Sequence, residues 1–313
     1  MNHMLLDPLA VEVPQQTLGT DVEFEGVALH RGCKGRMIVR PAPKNHGIVF
    51  KRIDLEVDDP FIPGKWDYVS DTALCTTISN SLGVSVSTIE HLMAAFAGCG
   101  IDNALIEINC PEVPIMDGSS EPFVNEFERV GTVKQDALRR SLRVIKPVKI
   151  VNEDAHIALM PANTFSIEFE IDFNSEAIQE KSLEISLING TFNHHISRAR
   201  TFGFLEDVDR MRAAGLGLGG SLHNVVVVDG AQILNDDGLR FKDEFVRHKI
   251  LDCVGDLYLS GGPIIGRVTA YRTGHYFNNM LLRELFANEG AWEWVTDSTD
   301  LSPKKNEANL TFS

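Results

Sequence analysis

The chain has 313 residues, with 44 Asp and Glu against 29 Lys and Arg, a formal net charge of −15. At 43% hydrophobic and 23% charged it has the composition of a globular protein with enough apolar material for two cores, which excludes a disordered chain. The acidic balance argues against a general nucleic-acid binder, no run approaches the roughly 18 apolar residues of a spanning helix, and MNHMLLDPLAVEVPQQ lacks the basic segment of a signal peptide.

The five cysteines, at 33, 75, 99, 110 and 253, are odd in number and form no C-x-x-C. They predict reduced thiols in a cytoplasmic protein, with neither a disulfide framework nor a thiolate metal site. Any bound metal is then expected on His and carboxylate ligands.

Residues 1–16 read as a flexible lead-in. From Thr17 onward, GVALH, GRMIVRPAP and GIVFKRIDL are strand-like runs punctuated by Gly, Pro and Asn. YVSDTALCTTIS is a further strand region. SVSTIEHLMAAFAGCGI reads as a helix stopped by Gly98 and Gly100, NALIEINC as an alternating strand, and PFVNEFERVG as a second helix. The polar stretch 131–142 marks a boundary between a domain at 17–138 and a second at 139–313. The second half opens on strands again, in LRVIKPVKIVN, HIALMPA and FSIEFEIDF. A helix follows at FLEDVDRMRAAG, then the glycine-rich GLGLGGS, the apolar strand NVVVVDG, a long helix DEFVRHKILDCVGDLYLS, the strand IIGRVTAYRTG and a helix beginning at His275. Strands at hairpin spacing mixed with helices predict an α+β fold of two similar layered sheet-and-helix domains.

The long helix carries the most chemistry. At 100° per residue with His248 at zero, Asp252 and Asp256 fall at about 40° and 80°. Val246, Ile250, Cys253, Val254 and Leu257 form the opposite, apolar face. A solvated polar face is one reading of the stripe. However, Phe245 lies inside it, and Leu251 and Tyr258 flank it, which points to a helix buried on both sides. His248 and Asp252 supply two ligands from one helical turn, and a third from elsewhere would complete an open catalytic metal site.

His91, at the start of a helix, is the best candidate for the third ligand. Glu90 beside it has two compatible readings. Ser87 and Glu90 form S-x-x-E, a capping box. A carboxylate next to a metal can also act as general base toward water whose pKa the metal has lowered to ~7. His275 is either a core histidine at a helix start or the partner of Asp256, which would hold it as a cation. Thr201 and Lys249 could add hydrogen bonds or charge at an oxyanion. The glycine run 215–220 lacks the strand and acidic residue of a dinucleotide fingerprint.

STIEHLMAAFAGCGIDNALIEI, PEVPIMDGSSEPFV, SRARTFGFLEDV, GLGLGGS, LNDDGLRFKDEFVRHKILDCVGDL and GHYFNN, with GVALHRG and RPAP near the start, together resemble the UDP-3-O-acyl-N-acetylglucosamine deacetylase family over about 17–296. The resemblance implies a zinc-dependent hydrolase of the lipid A pathway in Gram-negative-type bacteria. It would remove acetate from a UDP-linked acylated amino sugar at a site between two domains packed face to face. It implies Zn²⁺, with Fe²⁺ as the alternative, on His91, His248 and Asp252. Glu90 is the implied base, His275 the implied stabiliser or acid with Asp256 orienting it, Thr201 the donor to the carbonyl oxygen, and Lys249 a substrate contact.

It further implies a sugar-nucleotide platform of Phe173, Phe202 and Phe204 with Asp207 nearby. An acyl-chain passage would be built by an insert at 205–228, lined by Leu205, Val208, Gly220 and Val227. Lys249, Arg247, Arg198, Arg200 and Arg272 are expected around the site as receivers of the diphosphate. Tyr276 and Phe277 are bulkier than the small or aliphatic residues usual in the family, and are expected to reshape the pocket. A monomer is expected. The rival readings are a non-catalytic nucleotide-sugar or lipid binder on the same fold, a structural metal, and an amidase for another N-acyl sugar.

Overall fold

The computed structural model describes residues 13–188 and 190–296. Its first half runs through strands Val22–Val27, Lys34–Pro41, Ile48–Arg52 and Phe61–Pro63, then helix α1 (Glu90–Cys99), strand Ala104–Ile108 and helix α2 (Glu121–Val130). The first two strands pair antiparallel. Ala104–Ile108 enters between the hairpins, antiparallel to Lys34–Pro41 and parallel to Ile48–Arg52. Strand alternation buries Val22 and Phe24 and exposes Glu23 and Glu25. The buried face meets α2, where Phe24 packs edge-on against Phe123 with centroids 4.9 Å apart, and the two helices join each other as Phe96 stacks on Phe127 at 5.1 Å.

The second half repeats this plan. Strands Val148–Asn152, Ala155–Met160, Ser166–Glu170 and Ser182–Ser186 come first, then helices α3 (Thr191–His195), α4 (Leu205–Ala213) and α5 (Glu244–Tyr258), strand Arg267–Tyr271 and helix α6 (His275–Ala287). Arg267–Tyr271 again enters between two hairpins, antiparallel to Ala155–Met160 and parallel to Ser166–Glu170. Each half therefore builds a five-stranded sheet in the same order, with the fifth strand inserted after a central helix and followed by a closing helix, and α1 and α5 occupy equivalent places. Together they give the two-domain α+β architecture.

The two equivalent helices pack directly on each other. A Cβ at Gly255 of α5 would lie 2.0 Å from the backbone oxygen of Glu90, so only glycine permits the observed approach. A further bond fixes the contact: the Tyr258 hydroxyl of α5 donates to the Ile101 carbonyl just past α1 at 2.9 Å. Within the first half, the Ser120 hydroxyl at the start of α2 donates to the His91 carbonyl at 2.7 Å. The insert adds a small sheet of Phe202–Phe204, Val226–Asp229 and Gln232–Ile233, with α4 as the crossover between its two parallel strands.

Three sequence-based expectations change. Residues 14–16 of the expected lead-in belong to the strand Pro14–Leu18, which pairs with Thr132–Leu138 in the polar stretch read as the domain boundary. Residues 1–12 and the tail beyond 296 lie outside the described residues. The cysteines are not all unpaired: the sulfurs of Cys33 and Cys110, 77 residues apart, are joined, while Cys75, Cys99 and Cys253 are free. Ser87 and Glu90 make no capping box. Ile89 is the N-cap of α1 without a side-chain bond, and the Ser87 amide instead donates to the Pro111 carbonyl.

Candidate metal and acid–base site

Almost every residue of α5 is buried, including His248, Asp252 and Asp256, each 3% exposed. The stripe is thus an interior face, and it looks onto the first turn of α1. His91 Nε2 stands 3.6 Å and His248 Nε2 3.4 Å from the same oxygen, Asp252 Oδ1, and the two imidazoles meet edge to face at 4.9 Å. The donor atoms all lie within 4.8 Å of one another.

Protonation decides what this cluster can hold. The His248 Nδ1–H donates to the Ala199 carbonyl at 3.0 Å, and burial pushes the imidazole down to about 3. It is neutral, with the Nε2 lone pair aimed at the cluster. Burial also works against the Asp252 carboxylate. The charges around it outweigh burial and hold it well below the usual range, with the Lys249 ammonium 2.7 Å from Oδ2. Asp252 Oδ1, by contrast, is buried without any hydrogen-bond partner. An ionised oxygen stripped of water and facing lone pairs is expensive unless a cation meets it. Two imidazole nitrogens and one carboxylate oxygen, with no fourth protein donor in the group, fit an open divalent site.

A second group lies alongside. The Glu90 carboxylate accepts the Thr76 amide through Oε2 at 3.0 Å, and Oε1 stands 4.0 Å from His275 Nε2. Burial raises the Glu90 pKa above its ordinary value. His275 Nδ1 donates to Asp256 Oδ2 at 2.8 Å. Asp256 also accepts the Thr76 hydroxyl at 2.6 Å and the Asn278 amide at 2.8 Å. Burial alone would lower His275, but Asp256 and Glu90 outweigh it and hold the imidazole up at about 9. Glu90, Asp256 and His275 also lie within ligand spacing. Asp256 has both oxygens committed to hydrogen bonds, so this group has the make-up of a proton-handling set.

Both groups open into a cavity of about 920 Å³. Phe173, Phe202, Phe204 and Asp207 line it, with the three rings packed at 5.4–6.4 Å centroid separations. Leu205, Val208, Gly220 and Val227 line it as well, and so do Thr201, Lys249, His275, Glu90 and the three candidate ligands. Asp256 sits behind His275. Sequence reasoning missed the contribution of the first half to this wall: Leu29, His30 and Thr88. Thr88 has φ 54°, a left-handed conformation rare for a β-branched residue, and its hydroxyl donates to Glu112. GVALHRG carried the signal for His30. Nothing local marks Thr88.

The expected arginine cluster does not form. Arg200, 4% exposed, is bound to Glu244, Asp237 and the Gly238 carbonyl. Arg247 pairs with Asp243 and donates to the His195 carbonyl, and Arg198 pairs with Glu121. These cations hold α5 and its neighbouring loops, and only Lys249 and Arg272 of the five reach the cavity. Tyr276, 52% exposed, and Phe277 are not among the cavity-lining residues, because the helix turns them away from His275.

Fold and site together define a class: a duplicated α+β protein whose halves meet at a candidate metal centre with acid–base groups beside it. Residues 15–287 match the family described as LpxC, UDP-3-O-acyl N-acetylglycosamine deacetylase. The chain is similar to the UDP-3-O-acyl-N-acetylglucosamine deacetylase of Idiomarina loihiensis, 47% identical over 288 residues covering 91% of this chain and 93% of the relative. It is also 46% identical to the proteins of that name from Vibrio parahaemolyticus and Haemophilus influenzae, each over 91% of this chain and 93% of the relative. The chain belongs to this deacetylase family.

Proposed function

We propose that the chain hydrolyses the acetamide of UDP-3-O-(3-hydroxyacyl)-N-acetylglucosamine to acetate and the free amine, the committed step of lipid A biosynthesis. One observation carries the reading. The unpartnered Asp252 Oδ1, between two imidazole nitrogens, adjoins Glu90 and His275 at a largely apolar cavity of about 920 Å³. A binder of the same ligand would need the cavity but neither proton-handling group.

His91, His248 and Asp252 would hold Zn²⁺, with Fe²⁺ as the alternative occupant. When bound, the ion would polarise the substrate carbonyl and acidify the attacking water. Glu90, its basicity raised by burial, takes the proton of that water. His275 stays cationic at neutral pH and faces Glu90 through Nε2, so it stabilises developing negative charge and can protonate the departing amine. Asp256 fixes the ring through Nδ1. Thr201 supports the carbonyl oxygen with its hydroxyl. Lys249 orients Asp252 and carries positive charge into the cavity. Phe173, Phe202 and Phe204, with Asp207, form the face for the sugar nucleotide. Leu205, Val208, Gly220 and Val227 form the passage for the acyl chain.

Domains at 17–138 and 139–313 are the matching division, supported by the repeated strand order. A cytoplasmic monomer is the assembly we assign. No helix among the described residues is long and apolar enough to cross a membrane. The test joins metal analysis of the purified protein to acetate release from the UDP-linked acylated sugar. About one divalent ion per chain with metal-dependent acetate release is expected. Acetate release that persists after complete metal removal refutes the mechanism. Unfolding on metal removal would make the ion structural.

A further inference from the structure

The paired cysteines lie outside the proton-handling and metal groups, yet they bear on the cavity. Cys33 ends the turn 28–33, whose Leu29 and His30 line the cavity. Cys110 opens the segment 110–114. The Glu112 carboxylate in that segment accepts the His30 amide at 2.8 Å, the Arg31 amide at 2.9 Å and the Thr88 hydroxyl at 2.9 Å. On its other side the turn carries the glycine-rich wall of the insert. The Leu218 and Gly219 amides donate to the His30 and Leu29 carbonyls at 3.2 and 3.0 Å. A covalent tie between residues 33 and 110 therefore acts on a place where the first half supports the insert, alongside the packing of Gly118 on the Asn224 backbone.

We propose that Cys33 and Cys110 are a reversible thiol–disulfide modification site that fastens the cavity-lining turn 28–33 to the segment 110–114. The Cα atoms are 7.3 Å apart with the sulfurs joined, and the bond holds the turn against that segment. The two sulfurs differ in access. Cys33 is half-buried, whereas Cys110 is 2% exposed. A small disulfide from solvent meets Cys33 first. Its thiolate attacks one sulfur of oxidised glutathione and releases one glutathione thiol. The Cys110 thiolate then attacks the Cys33 sulfur and releases the second. The pair loses two electrons and two protons, and the small disulfide takes them up as two thiols. The remaining cysteines do not compete: each is free of a partner sulfur, and burial pushes Cys75 and Cys99 up to about 12 and Cys253 higher still.

The experiment equilibrates the full metal-loaded chain with reduced or oxidised glutathione, alkylates it with iodoacetamide and maps the peptides by mass. Oxidation should consume two thiols, yield the peptide linking 33 to 110, and raise the unfolding temperature by several degrees, with dithiothreitol reversing all three. C33S should abolish the link and the temperature shift, while C99S keeps both. A stable glutathione adduct on Cys33 with Cys110 still alkylated would overturn the proposal, as would full alkylation of both under oxidised glutathione. A linked peptide whose unfolding temperature equals that of the reduced chain would overturn the fastening. Parent and C99S proteins carry the test even if C33S does not fold.

Discussion

Asp256→Asn separates the charge of the acid–base set from its shape. The amide retains an oxygen for His275 and Asn278, and the Thr76 hydroxyl can turn to accept from its nitrogen. What is lost is the negative charge 2.8 Å from His275 Nδ1. In the parent, burial opposes the imidazolium, and Asp256 and Glu90 together raise it from 6.5 to about 9. At 1.36 kcal/mol per unit, that is about 3 kcal/mol of preference for the charged form. Without Asp256 the burial penalty remains and only Glu90 and the more weakly acting Asp252 oppose it, so the His275 pKa should fall by about 1–3 units.

The assay is the pH profile of kcat/KM. Its basic limb should move to lower pH in Asp256→Asn, with metal content unchanged. A divalent ion on His91, His248 and Asp252 repels the imidazolium in both proteins, so the displacement between them is the measured quantity. Stability gives a second reading of the same charge. A histidine whose folded pKa is raised contributes fully below its unfolded value of about 6.5 and loses that contribution as pH rises through about 9. The urea stability of the parent should therefore exceed that of the variant by about 1–4 kcal/mol near pH 6, following the fall of about 1–3 units, and the gap should close through pH 9. A basic limb that stays in place, with a stability gap independent of pH, would refute the coupling of Asp256 to His275.

Three further outcomes follow from the same geometry. Glu90→Gln should keep fold and metal content but lose about 10²-fold or more in turnover, and near-parental acetate release would remove Glu90 from the proton transfer. Gly255→Ala should push α1 from α5, because the new Cβ meets Glu90 backbone atoms at 2.0 and 2.8 Å. Overpacking of this kind costs about 1–3 kcal/mol, and metal affinity should fall with it; parental melting and metal content would show that the close approach does not set the ligand geometry. Glu244→Gln removes the buried carboxylate charge from Arg200, which keeps Asp237 and the Gly238 carbonyl, and should cost about 1–3 kcal/mol in urea unfolding while leaving metal content per folded molecule unchanged. An unaltered unfolding midpoint would mean the pair is not a structural anchor.

Local periodicity made part of this legible in the sequence. The 3.6-residue repeat aligned His248, Asp252 and Asp256, and the large side chains among them signalled a helix buried on both faces. The alternation in FSIEFEIDF and NALIEINC marked strands, and Gly100 marked the end of α1, where it takes φ 63°, whereas Gly98 lies inside the helix. Pairings over long separations were not legible. Thr76 reaches Asp256 across 180 residues, and the two halves of the sulfur pair are 77 apart. Charge was the most misleading signal. A sequence shows that Arg200, Arg198 and Arg247 are cations but not that Glu244, Glu121 and Asp243 already claim them. The S-x-x-E spelling at 87–90 misled for a related reason. The Ser87 amide goes to Pro111, which leaves the Glu90 side chain free of α1's own backbone.

That freedom follows from the duplication. In each half the helix before the inserted strand is the one that packs centrally, and these two helices face each other at Gly255. Were the halves functionally equivalent, each helix would present the same groups. Instead α1 offers its first turn, Glu90 and His91, while α5 offers three successive turns, His248, Asp252 and Asp256. One end of one helix set against the middle of the other brings two adjacent residues onto two different groups: His91 onto Asp252 and Glu90 onto His275. A capped Glu90 would have been held against its own helix. With Thr76 holding one oxygen and the other turned toward His275, the carboxylate is positioned by the strand region that precedes α1 rather than by α1 itself, and the proton-handling group and the candidate metal group share one wall.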